Sequence, residues 1–136
     1  MRMATLEFST ADAPSHRVSD IVSADMAAKL SEGELASDVL FHHPGADDRL
    51  QMFELRAPAD ATFNPHSHTE DEIMVVIDGE LRAGSRVLKQ GDSMYVPGGT
   101  VYSFRAGPEG VRLFNFRPRS GGGYSTPAET RAAARG

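Results

Sequence analysis

The sequence predicts an all-β fold, a sandwich or a barrel, from the spacing of its short apolar runs. From Asp38 onward, runs of β-favouring residues alternate with turn sequences rich in Gly, Pro and Asp. The intervals between these runs are too short for the crossover helix that parallel strands require. Short strands at regular spacing are typical of antiparallel sandwiches and barrels.

An N-terminal arm of residues 1–37 is expected to precede the strands. A short helix is expected near residues 19–30 of this arm, because Ser19 or Asp20 can cap its start and Gly33 can end it. The strands follow within residues 38–118, near 38–43, 49–56, 72–78, 80–83, 86–88, 93–96, 101–105 and 111–117.

Residues 119–136 are predicted to form a flexible tail. Residues 120–123, with the sequence Ser-Gly-Gly-Gly, form a hinge. Residues 128–135 are rich in Ala, Arg and Glu, but an isolated helix of this length is marginal in water. We therefore expect the tail to be disordered or to pack against a partner subunit.

Composition excludes several classes of function. The chain has 136 residues and no cysteine, so it forms no disulfide, thiolate metal site or thiol nucleophile. The net charge is −5 and the basic residues are scattered, which argues against nucleic-acid binding. The longest apolar run, residues 73–77, is too short to span a membrane, and the start of the sequence lacks a signal-peptide pattern. A cytoplasmic location is the resulting expectation.

The strongest chemical signal is a pair of histidines followed by a carboxylate. His66 and His68 are two residues apart, so an extended chain presents both imidazoles on one face. A short turn then brings Glu72 to the same side. Two imidazoles and one carboxylate form a facial triad that binds a divalent metal and leaves positions open for substrate. The other interpretation is that both histidines lie on the surface of a loop after Pro65.

Two motifs in the sequence resemble those of the cupin superfamily. His66-x-His68-x-x-x-Glu72, followed after six residues by Gly79, matches the first cupin motif. Gly91, five residues, Pro97, one residue and Gly99 match the start of the second motif. The resemblance covers residues 49–117. It implies a double-stranded β-helix, or jelly-roll barrel, with a metal site inside its mouth.

The sequence departs from the cupin pattern at two positions. Asp60 stands where the family usually has a glycine before the first motif, and Tyr102 stands where the second motif usually supplies a third histidine. Three possibilities follow for Tyr102. The metal has three protein ligands with a protonated phenol nearby, or Tyr102 supplies a phenolate ligand, or no metal binds. We expect Glu72 rather than Glu70 to be the carboxylate ligand, because Glu70 falls in the turn.

Inward-facing strand residues are expected to line the cavity of such a barrel, and most of them are apolar. The polar strand residues that could orient an anionic or carbonyl substrate are Arg56, Arg112 and Asn115.

These observations favour a small metal-dependent enzyme that acts on a small organic molecule. An Fe(II)-type oxygenase is the first expectation, with Mn, Ni or Zn as other possible metals. The alternatives are an isomerase, cyclase or lyase that uses Tyr102 as catalytic acid or base, and a non-catalytic binding protein. We also expect a homodimer in which residues before Asp38 cross to the partner, and no nucleic-acid or membrane partner.

Overall fold

Antiparallel strands form one eight-stranded sheet in the structure, a computed structural model that describes residues 4–135. The all-β expectation is confirmed. The strands are β1 (Ser15–Arg17), β2 (Asp38–His43), β3 (Gln51–Ala57), β4 (Thr62–His66), β5 (Glu72–Ala83), β6 (Arg86–Leu88), β7 (Ser93–Val96) and β8 (Tyr102–Arg117). The helices are α1 (Val18–Ile21), α2 (Ala24–Ala27), α3 (Glu32–Leu35) and α4 (Pro127–Arg135).

The long strand β8 organises the jelly roll because it pairs with three other strands. Its residues 111–117 pair with β3 on one side and with β5 on the other. Its first residues, 102–105, pair with β4, and this pairing sets His66 opposite Tyr102. The full strand order is β1-β2-β3-β8-β5-β6, with β4 added on β8 and β7 on β5. The buried core between the layers is apolar, with Val76, Leu81, Ala106 and Leu113 at or below 1% exposure.

Two segments expected to be turns, residues 78–79 and 107–110, lie inside continuous strands. Residues 72–83 form one strand, and so do residues 102–117. The pairing register of β5 with β8 shifts on either side of Asp78 and Gly79. Such bulges absorb extra residues without ending a strand, which is why these glycine-containing segments resemble turns in sequence.

Two elements have no counterpart in the sequence-based expectation. Strand β4 contains Pro65, which argues against a strand, but among the described strands β4 pairs only with β8, and an edge strand tolerates proline. The single helix expected near residues 19–30 is instead two short helices, α1 and α2, with Ser23 capping the second. Helix α3 contains Gly33, the residue expected to end that helix. A capping box between Ser31 and Glu34 stabilises this short helix.

The arm and the tail both pack on the barrel of the same chain. Strand β1 pairs with β2. In the segment for which the sequence indicated flexibility, Thr69 N donates to Gly122 O at 2.8 Å, and Ser67 and Ser125 exchange two backbone hydrogen bonds of 2.9 Å. None of the helices described within residues 4–135 is long and apolar enough to cross a membrane.

We predict that Gly79→Ala destabilises the fold far more than Gly84→Ala does. Both glycines have positive φ, but a Cβ on Gly79 would lie 2.2 Å from the carbonyl oxygen of Gly110, whereas a Cβ on Gly84 would meet nothing within 4 Å. The expected loss in free energy of unfolding is ~3 kcal/mol or more at Gly79 and about 1 kcal/mol at Gly84. Urea denaturation measures both. Equal losses would show that backbone conformation, and not the contact with Gly110, limits position 79.

The homodimer, with residues before Asp38 crossing to the partner, stays a prediction, and we propose the outer sheet face as a further contact surface. Tyr95, Ile73 and Phe116 form one row in register across β7, β5 and β8, with exposures of 58%, 41% and 39%. An apolar row of this kind is typical of an isologous interface. Light scattering of the full chain should give twice the monomer mass, and Ile73→Glu should reduce it to that of the monomer. Val87→Glu, on β6, is the exposed control, and a monomeric wild-type chain would refute the prediction.

Candidate functional site

A cavity of about 320 Å³ opens between the two layers of the barrel. Most of its wall is apolar and comes from the N-terminal helical segment, residues 18–35 with helices α1 to α3, as well as from the strands. Its polar side chains are those of Glu34, Gln51, His66, His68, Glu72, Tyr102, Asn115, Arg117 and Tyr124. The structure therefore gathers all four sequence-predicted site residues, His66, His68, Glu72 and Tyr102, around one cavity.

Backbone carbonyls orient the two histidines. Nδ1 of His66 lies 2.6 Å from the carbonyl oxygen of Asn64, and Nδ1 of His68 hydrogen-bonds to that of Gly123. Because a carbonyl oxygen only accepts, each neutral ring carries its proton on Nδ1 and leaves the lone pair on Nε2. Histidines that bind metals are commonly held in this way.

The N-terminal helical segment fixes the position of Asn64. Oε1 of Glu34, in α3, accepts a hydrogen bond of 2.7 Å from the backbone N–H of Asn64. Nδ2 of Asn64 donates to the carbonyl of Lys29 at 3.1 Å. Burial raises the pKa of Glu34. The orientation of His66 thus depends on residues 30 or more positions earlier in the chain.

Both histidines are neutral at neutral pH. Burial lowers the pKa of His66 to about 4. The pKa of His68 is lowered as well, first by burial and then by the positive charge of Arg117. Since a metal ion binds neutral imidazole, the buried rings lose no affinity to protonation near pH 7.

Glu72 is buried, at 2% exposure, and both of its oxygens are hydrogen-bonded. Oε1 accepts from the Tyr102 hydroxyl at 3.0 Å, and Oε2 accepts from Nε of Arg117 at 2.5 Å. Nη2 of Arg117 also lies 3.3 Å from Nε2 of His68. The guanidinium therefore bridges the carboxylate and one imidazole.

Tyr102 is a protonated hydrogen-bond donor in this arrangement. Burial and the charge of Glu72 raise the pKa of Tyr102 strongly. The ring also contacts His66, with 4.5 Å between ring centroids. Of the roles considered from sequence, this arrangement favours the protonated phenol over the phenolate ligand.

The acidic residues next to Glu72 point elsewhere. Glu70 pairs with Arg119, with 3.5 Å between Oε2 and Nε. The exposed carboxylate of Asp71 accepts hydrogen bonds from Gly98 N, at 2.8 Å, and from Tyr95. The structure thus places Glu72, and not Glu70, on the cavity wall.

Of the three polar strand residues suggested for substrate contact, only Asn115 lines the cavity. Arg56 and Arg112 instead pair with Glu54, at 3.1 Å and 2.6 Å. Arg117, which the sequence analysis missed, lies two residues after Asn115 and so on the same face of β8. The alternation of side chains between the two faces of a strand was the sequence feature that could have identified Arg117.

Tyr124, from the tail, was also missed. Its ring stacks on His66 with 4.5 Å between centroids and 8° between planes. Nothing local in the sequence indicates this contact, because it joins residues 58 positions apart.

The donor chemistry of the site fits a divalent metal ion, although the donors are engaged with Arg117. Among residues 4–135, no three His, Asp or Glu side chains are grouped as a ready metal site. The fitting features are the two Nδ1-anchored neutral imidazoles and the buried carboxylate. To bind an ion, His68 would have to release the guanidinium from its single Nε2 lone pair.

Comparison with known proteins identifies the fold. The family model described as "Cupin domain" matches residues 53–116. Three solved structures illustrate the likeness. The RmlC-like cupin from Shewanella frigidimarina NCIMB 400 is 24% identical, over 60% of this chain and 76% of that one, with a TM-score of 0.51. KdgF from a Halomonas species is 23% identical, over 66% and 86%, with a TM-score of 0.54.

The third is the polyketide cyclase RemF from Streptomyces resistomycificus, 16% identical over 74% of this chain and 79% of that one, with a TM-score of 0.57. No curated protein sequence matches the chain.

Asp60, which replaces the usual glycine, has φ of +59°, a left-handed conformation that aspartate tolerates better than most residues.

Proposed function

Since the chain belongs to the cupin superfamily, we propose that it is a metal-dependent enzyme acting on a small organic molecule in its cavity. In this proposal His66, His68 and Glu72 hold a divalent metal ion, and Tyr102 carries a proton. The observation that supports it best is the pair of Nδ1 hydrogen bonds to backbone carbonyls, which leaves both Nε2 atoms unprotonated, that of His68 now facing Arg117. Iron is the first candidate, and Mn, Ni and Zn are the others.

The metal ion, Tyr102 and the apolar wall would have separate roles in the reaction. When bound, the ion supplies a Lewis acid that polarises a carbonyl or carboxylate oxygen of the substrate. Tyr102 holds a proton on Oη, next to Glu72, and can donate it to a developing negative charge. The apolar wall excludes water from the remainder of the substrate.

The hydrogen bond between Tyr102 and Glu72 favours acid-base chemistry of the isomerase, cyclase or lyase kind. The Tyr102 hydroxyl holds a proton at the cavity wall and donates it to Glu72, whereas no contact among the described residues specifically favours oxygenase chemistry. One structural neighbour is a polyketide cyclase, and its likeness to this chain concerns the fold. Oxygenase activity remains the second candidate on the donor set alone.

Metal content of the purified protein tests the proposal. We expect about one ion per chain in the wild type. His66→Ala, His68→Ala and Glu72→Gln should each lose most of it, because removal of one of three donors leaves a weak site. Glu70→Gln, whose carboxylate pairs with Arg119, is the matched control and should keep its metal.

Elemental analysis after gel filtration, with thermal melts to show that each variant folds, supplies the measurement. If Glu70→Gln empties the site while Glu72→Gln retains the ion, the assigned carboxylate is wrong. A wild-type chain that stays metal-free after incubation with Fe(II), Mn(II), Ni(II) and Zn(II) refutes the proposal as a whole.

Tyr102→Phe tests the proton-donor role. In D2O, water can take a proton from the carbon next to a carbonyl while Tyr102 donates one to the carbonyl oxygen, so a panel of small 2-oxo acids and ketones should exchange these protons, as detected by NMR. Tyr102→Phe should slow this exchange ~10²-fold at unchanged metal content. Glu70→Gln, which alters a side chain outside the cavity, is the control.

A second measurement distinguishes Tyr102 as a proton donor from Tyr102 as a metal ligand. An Fe(III)-loaded sample should lack a visible phenolate-to-iron absorption band, because the Tyr102 hydroxyl donates to Oε1 of Glu72 and is not placed as a metal ligand. A band that Tyr102→Phe abolishes would instead make Tyr102 a ligand. Full exchange activity in Tyr102→Phe would leave the residue with a packing role only.

A further inference from the structure

Arg117 supplies the positive charge of the cavity. Among the lining residues in the described part of the chain it is the sole lysine or arginine. Its side chain is 14% exposed, and its guanidinium lies 5.2 Å from the centre of the Phe53 ring. The hydrogen bonds found in residues 4–135 use Nε and Nη2, towards Glu72 and His68. A guanidinium has five N–H donors, so donors remain for a ligand.

The partners of Arg117 are also the donors of the proposed metal site. Oε2 of Glu72 and Nε2 of His68 are the atoms that a metal ion would need. Nε2 of His68 has a single lone pair, which an ion and Nη2 of Arg117 cannot share, and the charge of the ion repels the guanidinium, so binding of an ion displaces Arg117. This step rests on the proposed function. The result is a charged arginine in a largely apolar cavity, and an unpaired buried charge is strongly unfavourable. An anionic group of a ligand would compensate it.

Asn115 adds a second donor on the same wall. It is 2% exposed, and its Nδ2 is buried without a hydrogen-bond partner among the described residues. Asn115 lies two residues before Arg117 on β8, facing the cavity, with Phe53 and Met74 beside it on the neighbouring strands. A buried donor without a partner is destabilising by roughly 1–3 kcal/mol. Two donor side chains side by side suit a group with two acceptor oxygens, which is a carboxylate.

The apolar part of the cavity wall determines which groups the ligand carries besides its carboxylate. Val18, Ile21, Val22 and Met26 from the N-terminal helical segment face Phe53 and Phe63 from the strands. A cavity of about 320 Å³ is at the small end of the range for ligand sites. We infer that the cavity takes a small carboxylic acid with an apolar body, and that Arg117 and Asn115 bind its carboxylate.

Calorimetric titration of the full chain loaded with Zn(II) tests this inference with three probes. Phenylacetate has both the carboxylate and the apolar body. Phenylacetamide lacks the charge, and acetate lacks the body. We expect phenylacetate to bind ~10-fold or more tightly than either of the others, because hydrogen bonds to charged groups and burial of an aromatic ring each contribute at least that factor.

Two variants connect the affinity to the named residues. Arg117→Lys keeps a charge that can pair with Glu72 but lacks the planar fork, and Asn115→Asp replaces a donor by an acceptor of the same shape. Each should weaken phenylacetate ~10-fold or more. Arg105→Gln is the control on the same strand, since Arg105 pairs at the surface with Asp60, and it should bind normally. Thermal melts verify folding, and Arg117→Lys decides the matter if Asn115→Asp is unfolded.

Equal affinity for phenylacetate and phenylacetamide overturns the inference, and so does full affinity in Arg117→Lys. If the chain holds metal but phenylacetate binding is indifferent to Arg117, the inference fails and the proposed function stands. If the chain never holds metal but phenylacetate binding requires Arg117, the proposed function fails and the carboxylate assignment stands.

Discussion

The buried carboxylate of Glu72 is the group on which the site depends. Its two oxygens bind Tyr102 and Arg117, which are the first and the last residues of β8. One side chain at the start of β5 therefore holds both ends of the strand that joins the two layers. A carboxylate buried without such partners would be unfavourable by several kcal/mol. The pairing of β5 with β8 and the polarity of the cavity mouth thus support each other.

Distant segments of the chain complete the site by orienting the histidines. Asn64, which accepts from His66, is itself held by Glu34 and Lys29, and Gly123 in the tail accepts from His68. The tail is held in turn by hydrogen bonds to residues 67–69 and by an ion pair between Glu129 and Lys29. The barrel alone positions Glu72 and Tyr102, but the imidazoles face correctly only when the arm and the tail are in place.

This division explains which features could be predicted from the sequence. The all-β fold, the two histidines on one face and the carboxylate after the turn follow from local spacing, which strand geometry translates directly into direction. Arg117 follows from the same alternation once Asn115 is known to face inward. Strand β4 could not be predicted, because its partner 36 or more residues away, and not its own composition, makes Pro65 acceptable. The roles of Tyr124 and Glu34 could not be predicted for the same reason, because each contacts a residue 30 or more positions away in the chain.

The same two atoms, Oε2 of Glu72 and Nε2 of His68, serve a guanidinium here and would serve a metal ion in the proposed enzyme. The charge balance differs between these two states. With Arg117 in contact, carboxylate and guanidinium neutralise each other, so the cavity mouth has little attraction for an anion. A divalent ion added to the same pair leaves two positive charges in excess, and in a low-dielectric cavity such an excess favours an anion strongly. Metal binding and carboxylate binding would therefore be coupled, each increasing the affinity for the other, and Arg117 is the residue through which the coupling would act.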